Sequence, residues 1–181
     1  TYWLKVPIRT AFTQAHSLSI SGGNKDFLYQ LGANYRGTEG VMKDSDRDTF
    51  GGNARLTYRN AEKRINISNN VSIMVTNGYN GSWGSFSNFV NANPYYTMRN
   101  SDGTIPQMLD EITFGTTAEE NVEGSASAPN PYYNAMLNSK SNNRSTSIVN
   151  NTSFDWFITD RFRWQASLSL QSGKNESETF K

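Results

Sequence analysis

The sequence predicts an all-β protein, built as an antiparallel meander of about six long strands. Apolar and polar residues alternate with period two over several segments, which is typical of strands that have one apolar face and one polar face. Asn, Ser and Thr are frequent and only 35% of the residues are hydrophobic, a composition that argues against a helical bundle. Most of the alternating segments are also longer than an ordinary strand, which has roughly five or six residues.

Four strands are predicted within residues 14–77 and two within residues 144–172. The apolar face of these strands carries, in order, Leu18, Ile20, Phe27, Tyr35, Phe50, Leu56, Tyr58, Ile67, Ile73, Phe154, Trp156, Trp164, Leu168 and Leu170. The opposite face is rich in Ser and Asn, and it also carries Arg55, Arg59, Arg163 and Gln165. The two faces are therefore expected to meet different environments.

The predicted connections alternate in length, with short turns at residues 22–26, 60–64 and 159–161. The intervening connections are longer, at residues 37–48 and above all at residues 78–143. Short turns at one end, long loops at the other and aromatic residues near the strand ends are typical of outer-membrane β-barrels. A soluble or secreted β-sandwich that binds a ligand through its loops would show the same alternation, so periodicity leaves both interpretations open.

Composition excludes several classes of protein. Charged residues are 18% of the chain and the formal net charge is +1, so no strong positive field is available for nucleic acid. The chain has no Cys and one His, which excludes thiolate and multi-histidine metal sites. No apolar run approaches the roughly 18 to 20 residues of a membrane helix. The chain starts at Thr1 and ends in a charged stretch, so we expect an internal piece of a longer protein.

The first forty residues carry a family resemblance. Trp3, Arg9, Thr10, Phe12 and Gln14, followed by the segment His-Ser-Leu-Ser-Ile-Ser-Gly-Gly at 16–23, resemble a segment of the SusC/RagA-like TonB-dependent outer-membrane transporters. The Glu-Gly-Val segment at 39–41, the strand at 55–58 and the Asn-Pro-Tyr element at 93–95 are similar to later elements of that family, in the same order. The resemblance covers nearly the whole chain, and the segment at 16–23 is its most specific part.

The resemblance implies a section of a transmembrane barrel of about 22 strands with a plugged lumen, in the outer membrane of a Gram-negative bacterium. Residues 1–13 would end one outer loop, residues 78–143 would form a long extracellular loop, and residues 173–181 would begin the next outer loop. The plug domain would be absent from this chain. The implied partners are the rest of the barrel and its plug, outer-membrane lipid, a SusD-like surface lipoprotein lid and, through the plug, TonB. The implied substrate is a glycan or a peptide, and no cofactor is implied.

The long connection holds the candidate binding residues. Its aromatic residues include Trp83, Tyr95, Tyr96, Tyr132 and Tyr133, and an Asn-Pro-Tyr-Tyr element occurs twice, at 93–96 and 130–133. Asn-Pro starts turns or short helices, so we expect two such units with at least one of the four tyrosines buried. The aromatic side chains can form the core of the loop itself, or they can contact a ligand or a lid. Nine aromatic residues and four prolines predict that the loop is ordered.

No arrangement of residues predicts catalysis, so we do not expect an enzyme. The segment Asp-Ser-Asp-Arg-Asp at 44–48 imitates the start of a calcium-binding loop, but Thr49 and Arg55 replace the Gly and the Glu of that motif. The acidic pair Asp110 and Glu111, and the acidic residues at 119, 120 and 123, have nothing in the sequence that positions them for glycoside cleavage. We therefore expect no metal site and no catalytic residues.

Overall fold

The computed structural model of the chain describes residues 1–114, 124–137 and 139–180. Strands dominate it. In chain order the strands are β1 (Thr13–Gly23), β2 (Phe27–Glu39), β3 (Ser45–Asn60), β4 (Ile65–Asn80), β5 (Met108–Phe114), β6 (Gly124–Pro129), β7 (Lys140–Phe157) and β8 (Arg163–Phe180). The helices are a 3₁₀ turn (Trp3–Lys5), α1 (Phe86–Val90) and α2 (Pro131–Met136). The acidic residues at 119, 120 and 123 lie outside the described residues.

Six strands form one antiparallel sheet in the order β1-β2-β3-β4-β7-β8. The prediction of a six-stranded antiparallel meander in chain order is therefore confirmed, and β1 and β8 lie at the two edges of the sheet within the described residues. Strands β5 and β6 form a separate two-stranded sheet inside the long connection.

The pairing register aligns the apolar residues of all six strands on one face. Leu56 is opposite both Tyr29 of β2 and Asn69 of β4, and Trp156 of β7 is opposite Ile65 and Trp164. Side chains at alternate positions point to the same face, so the faces predicted from alternation are those of the folded sheet. Arg55, Arg59, Arg163 and Gln165 lie together on the opposite, polar face.

The strands run further than alternation predicted, and the connection at 37–48 and the boundaries at 77, 144 and 172 need correction. β2 ends at Glu39 and β3 begins at Ser45, so the connection between them is residues 40–44. β4 ends at Asn80, β7 begins at Lys140 and β8 continues to Phe180, where residues 173–181 were expected to start a loop. The pairing of β4 with β7 continues without a shift to Asn80 opposite Ser141. The pairing of β7 with β8 likewise continues without a shift to Lys140 opposite Phe180. Pairing uses backbone groups, so it persists where the apolar alternation ends.

The short turns are fixed by local hydrogen bonds. Asn24 Oδ1 accepts from the backbone N–H groups of Asp26 and Phe27 at 2.9 and 2.8 Å, an Asx turn, and Gly23 adopts φ of 137°. Asn60 Oδ1 likewise accepts from the N–H of Lys63 at 2.8 Å. Short polar turns of this kind fix the register of the hairpins that they close.

The large sheet has no covering layer in the described part of the chain. Among residues 1–114, 124–137 and 139–180, no helix or second sheet packs across either of its faces. The accessible surface is 13366 Å², whereas a compact monomer of this mass exposes about 8,800 Å². Many large apolar side chains of the sheet are consequently exposed, among them Leu18, Phe50, Ile73, Trp164 and Leu168.

Candidate functional site

Three segments meet at the long-loop end of the sheet. They are residues 1–12, residues 40–44 between β2 and β3, and the described residues 81–114 and 124–137 of the long connection; we call them the rim assembly. The N–H of Arg9 donates to the carbonyl of Val41 and the N–H of Lys43 donates to that of Pro7, both at 2.8 Å. The Gly81 N–H donates to the carbonyl of Asp44 at 2.6 Å. The first two bonds join the N-terminal segment to the β2–β3 loop, and the third joins that loop to the start of the long connection.

The rim assembly has a small core of its own. Trp3 and Phe89 are 3% and 1% exposed, and apart from prolines they are the buried hydrophobic residues of the described part of the chain. Trp3 Nε1 donates to the carbonyl of Asn93 at 2.8 Å, so the indole joins the N-terminal segment to the long connection. Helix α1 presents Phe89 to this core, and Ser85 caps the helix by accepting from the Ser87 N–H.

Two of the predicted candidates, Trp83 and Tyr132, come together. Their ring centroids are 5.9 Å apart, and Phe89 lies 6.2 Å from Trp83. The Lys43 ammonium lies 5.0 Å from the Trp83 ring centroid, and the Arg99 guanidinium lies 5.6 Å from that of Tyr132. These are cation–π distances. Trp83 and Tyr132 are therefore engaged with other side chains of the rim assembly.

The remaining candidates, Tyr95, Tyr96 and Tyr133, differ in how exposed their side chains are. The Tyr95 side chain is 91% exposed, whereas Tyr96 and Tyr133 are half-buried. The Tyr96 hydroxyl donates to Asp110 Oδ2 at 2.5 Å, and this hydrogen bond raises the pKa of Tyr96. The expectation that at least one of the four tyrosines would be buried is wrong, because Asn130 and Pro131 occupy the interior position instead.

The two Asn-Pro-Tyr-Tyr elements share one local structure. Asn93 Oδ1 accepts from the Tyr95 N–H at 3.0 Å, and Asn130 Oδ1 accepts from the Tyr132 N–H at 3.1 Å. The first element remains a turn, and the second continues into helix α2. The predicted turn or short helix is therefore present at both positions.

Asn130 is a buried polar residue whose role the sequence analysis missed. It is 2% exposed, and its Nδ2 donates to the carbonyls of Met98 and Pro106 at 3.1 and 2.9 Å. Buried amides need such partners. Asn immediately before Pro is a helix-cap signal, but the two carbonyl partners are distant in sequence and give no signal.

The aspartates at 44, 46 and 48 do not converge on one point. Asp44 accepts from Trp83 Nε1 at 2.9 Å, Asp46 forms an ion pair with Arg9, and Asp48 accepts from the Tyr35 hydroxyl at 2.9 Å. Each carboxylate thus stabilises a different neighbour. Among the described residues no group of three or more His, Asp or Glu side chains is close enough to hold a metal ion.

The polar face of the sheet holds the other predicted candidates. Arg163 donates to Asp155 through Nε at 3.1 Å, and its guanidinium lies 5.1 Å from the Phe157 ring centroid. Arg55 and Arg59 are exposed on β3, and Gln165 is exposed on β8. The structure therefore separates two candidate surfaces, the rim assembly and the polar face.

None of the helices in the described residues is long and apolar enough to cross a membrane. Comparison of the chain with protein-family models and with curated proteins finds no match. The family resemblance accordingly depends on the motifs at 3–23, 39–41, 55–58 and 93–95.

Proposed function

We propose that this chain is part of the wall of an outer-membrane active transporter that imports a glycan or a peptide. One observation carries the proposal, namely an apolar sheet face that continues across six strands and that nothing in the described part of the chain covers. An uncovered apolar face of this extent requires an apolar environment. The hydrocarbon of a bilayer is the environment that the following dimensions support.

The height of the apolar band agrees with a membrane. On β3 the band extends from Phe50 to Tyr58, nine residues. Nine residues extend about 27 Å along a strand, and with a strand tilt of about 40° the band is about 21 Å tall, close to the roughly 25 Å of transmembrane barrels.

Aromatic side chains border the band at both ends. Near the short turns, Phe27 pairs with Tyr58 and Trp156 pairs with Trp164. Near the rim assembly, Tyr35 packs on Phe50 with ring centroids 4.8 Å apart. Aromatic residues at both interfaces are typical of membrane-spanning barrels.

The polar groups that interrupt the apolar face are satisfied by one another. Asn69 Nδ2 donates to Asn150 Oδ1 at 3.0 Å and to Thr152 Oγ1 at 2.8 Å. Unsatisfied polar groups are costly in hydrocarbon, so this cluster is compatible with contact with lipid.

In the proposed transporter, the edge strands β1 and β8 pair with further strands of a larger barrel, because unpaired edges are not stable in lipid. The polar face lines a plugged lumen, and the rim assembly lies at the cell surface. A SusD-like lipoprotein would cover the outer opening, and a TonB-type complex would pull on the plug to open a path. Tyr95 is the most exposed candidate for contact with substrate or lid.

The alternative function, a soluble or secreted β-sandwich, requires a second sheet on the apolar face. Within the described residues, the second sheet is the pair β5 and β6, which does not pack on that face. The contacts therefore favour the barrel wall over the sandwich.

An epitope-insertion experiment in the intact protein tests the proposal. One epitope is inserted after Gly103, where the loop is open, and another between Glu62 and Lys63 in the short β3–β4 turn. On intact cells an antibody should label the Gly103 insertion, whereas the turn insertion should become labelled only after the outer membrane is permeabilised.

Fractionation and copurification complete the experiment. Both insertion variants should fractionate with the outer membrane, and the wild-type protein should copurify with a surface lipoprotein. Recovery of either variant as a soluble protein, or labelling of the turn insertion on intact cells, would contradict the proposed wall.

A further inference from the structure

Charge is distributed unequally between the two faces of the large sheet. The polar face carries five arginines, at 36, 47, 55, 59 and 163, against one acidic residue, Asp155. Asp155 is paired with Arg163. Within the described residues, none of the other four arginines is ion-paired with a carboxylate, and all four are exposed.

The opposite face has the reverse balance. Beyond its apolar band it carries five acidic residues, at 39, 46, 48, 176 and 178, against Lys140, Arg144 and Lys174. The whole chain is close to neutral, with a net charge of +1. The excess of positive charge is therefore a property of one surface and not of the composition.

The unpaired arginines follow β2 and β3 along the length of the sheet. Arg36 is opposite Thr49, so it is diagonal to Arg47, a position in which side chains lie about 7–8 Å apart. Two long arginine side chains on backbone positions this close can direct their guanidinium groups at one anionic group. Arg55 and Arg59 lie further along β3, and the three arginines of β3 extend over about 40 Å, from the rim assembly to the short turns.

The surface between the arginines is open and polar. A Cβ on Gly51 would lie 2.3 Å from Asn34 Oδ1, and one on Gly32 would lie 2.4 Å from Asn53 Oδ1. Each asparagine amide thus lies over a glycine, at a place where a larger residue would displace it. The result is a shallow path with amide groups along its floor and arginines at both ends.

We propose that this path binds an acidic glycan, that is, an oligosaccharide with carboxylate or sulfate groups, and that Arg36 and Arg47 hold it first. The proposal rests on the proposed function, in which the polar face lines the lumen. Strong hydrogen bonds to anionic groups come from the arginines. The neighbouring Ser, Thr and Asn side chains provide donors and acceptors that suit sugar hydroxyls.

The polar face suits a glycan better than a peptide. Its large apolar side chains are few, and in the six strands they are Leu28, Met74, Val149 and Phe157. The apolar side chains of a peptide would find few apolar side chains to contact on this face, whereas a glycan presents hydroxyl groups along its whole length. Acidic peptide binding is accordingly an outcome that the experiment distinguishes.

The test measures binding to the intact transporter purified in detergent. The probes are dextran sulfate oligosaccharides, galacturonate oligosaccharides, uncharged dextran of the same length and oligoglutamate. At least one acidic glycan should bind, more weakly as salt concentration rises, and uncharged dextran should not. The double variant Arg36→Gln with Arg47→Gln should weaken that binding at least tenfold, and Arg36→Lys with Arg47→Lys should retain part of it.

Arg144→Gln is the matched control, because Arg144 lies on the opposite face, and it should bind as the wild type does. Outer-membrane fractionation of every variant keeps a failure of this proposal separate from a failure of the barrel proposal. The inference is overturned if no acidic glycan binds, if the double glutamine variant binds as tightly as the wild type, or if oligoglutamate binds more tightly than both acidic glycans.

Discussion

The large sheet and the rim assembly differ in where their side chains are buried. Among the described residues seven are buried, and five of them, Trp3, Pro7, Phe89, Asn130 and Pro131, lie in the rim assembly. The sheet contributes Gly37 and Asp155. The sheet is ordered by its backbone pairing, yet the described part of the chain leaves both of its faces open.

This difference shows what each region needs from its surroundings. The rim assembly contains its own core and hydrogen-bond partners, so its local packing stabilises it. The sheet has an apolar face that must be covered from outside, because exposed apolar area of this extent is unfavourable in water. A substitution in the rim assembly should therefore change the stability of its internal packing. A substitution on the apolar face of the sheet should change how well that face suits apolar surroundings.

The largest effect is expected from Phe89→Ala in the rim assembly. Removing a fully buried Phe costs about 3–5 kcal/mol. The loss should be confined to the rim assembly, because helix α1, which carries Phe89, packs on the 3₁₀ turn Trp3–Lys5. Limited proteolysis of the intact protein should show faster cleavage in residues 81–107 with outer-membrane yield unchanged.

Phe86→Ala is the control for that substitution. Phe86 begins the same short helix but is 39% exposed, so its removal should change the cleavage rate much less. Equal cleavage rates for the two variants would show that the rim assembly does not depend on its core.

The next largest effect is expected from Leu168→Arg in the sheet. Leu168 is 57% exposed on the apolar face, and an arginine there would cost about 2–4 kcal/mol at the bilayer midplane. The yield of protein assembled in the outer membrane should fall. Ser167 lies one residue away on the polar face, so the Ser167→Arg variant should assemble normally. Equal yields of the two variants would contradict the assignment of the two faces to different environments.

A smaller effect is expected from Asn130→Ala, which removes a helix cap and two buried hydrogen bonds. The cost should be about 2 kcal/mol, seen as faster proteolysis near α2. Asn93→Ala removes the same local bond at the exposed copy of the element and should cost less. A larger effect at Asn93 would show that the buried hydrogen bonds of Asn130 do not stabilise the rim assembly.

Period-two alternation was sufficient to predict the six-stranded sheet, because each of its strands has one mainly apolar face in its central part. It did not predict the separate pair β5 and β6. It could not predict where β4 and β8 end and where β7 begins, since these outer parts are mostly polar on both faces and are stabilised by backbone pairing. Trp83 and Tyr132 were predicted as candidates from composition alone. Their cation partners Lys43 and Arg99 were missed, because contacts between distant residues of a loop leave no periodic signal.

In the proposed barrel wall, one side of β4 faces lipid and the other faces the lumen. The chain has no cysteine, so single cysteines can be introduced at residues 70–75 of the intact protein, spin-labelled and studied in lipid vesicles. Collision rates with oxygen, which concentrates in hydrocarbon, should be high at Val71, Ile73 and Val75 and low at Asn70, Ser72 and Met74. Oxygen collision rates that do not alternate along β4, or that are high at Asn70, Ser72 and Met74 instead, would contradict this orientation.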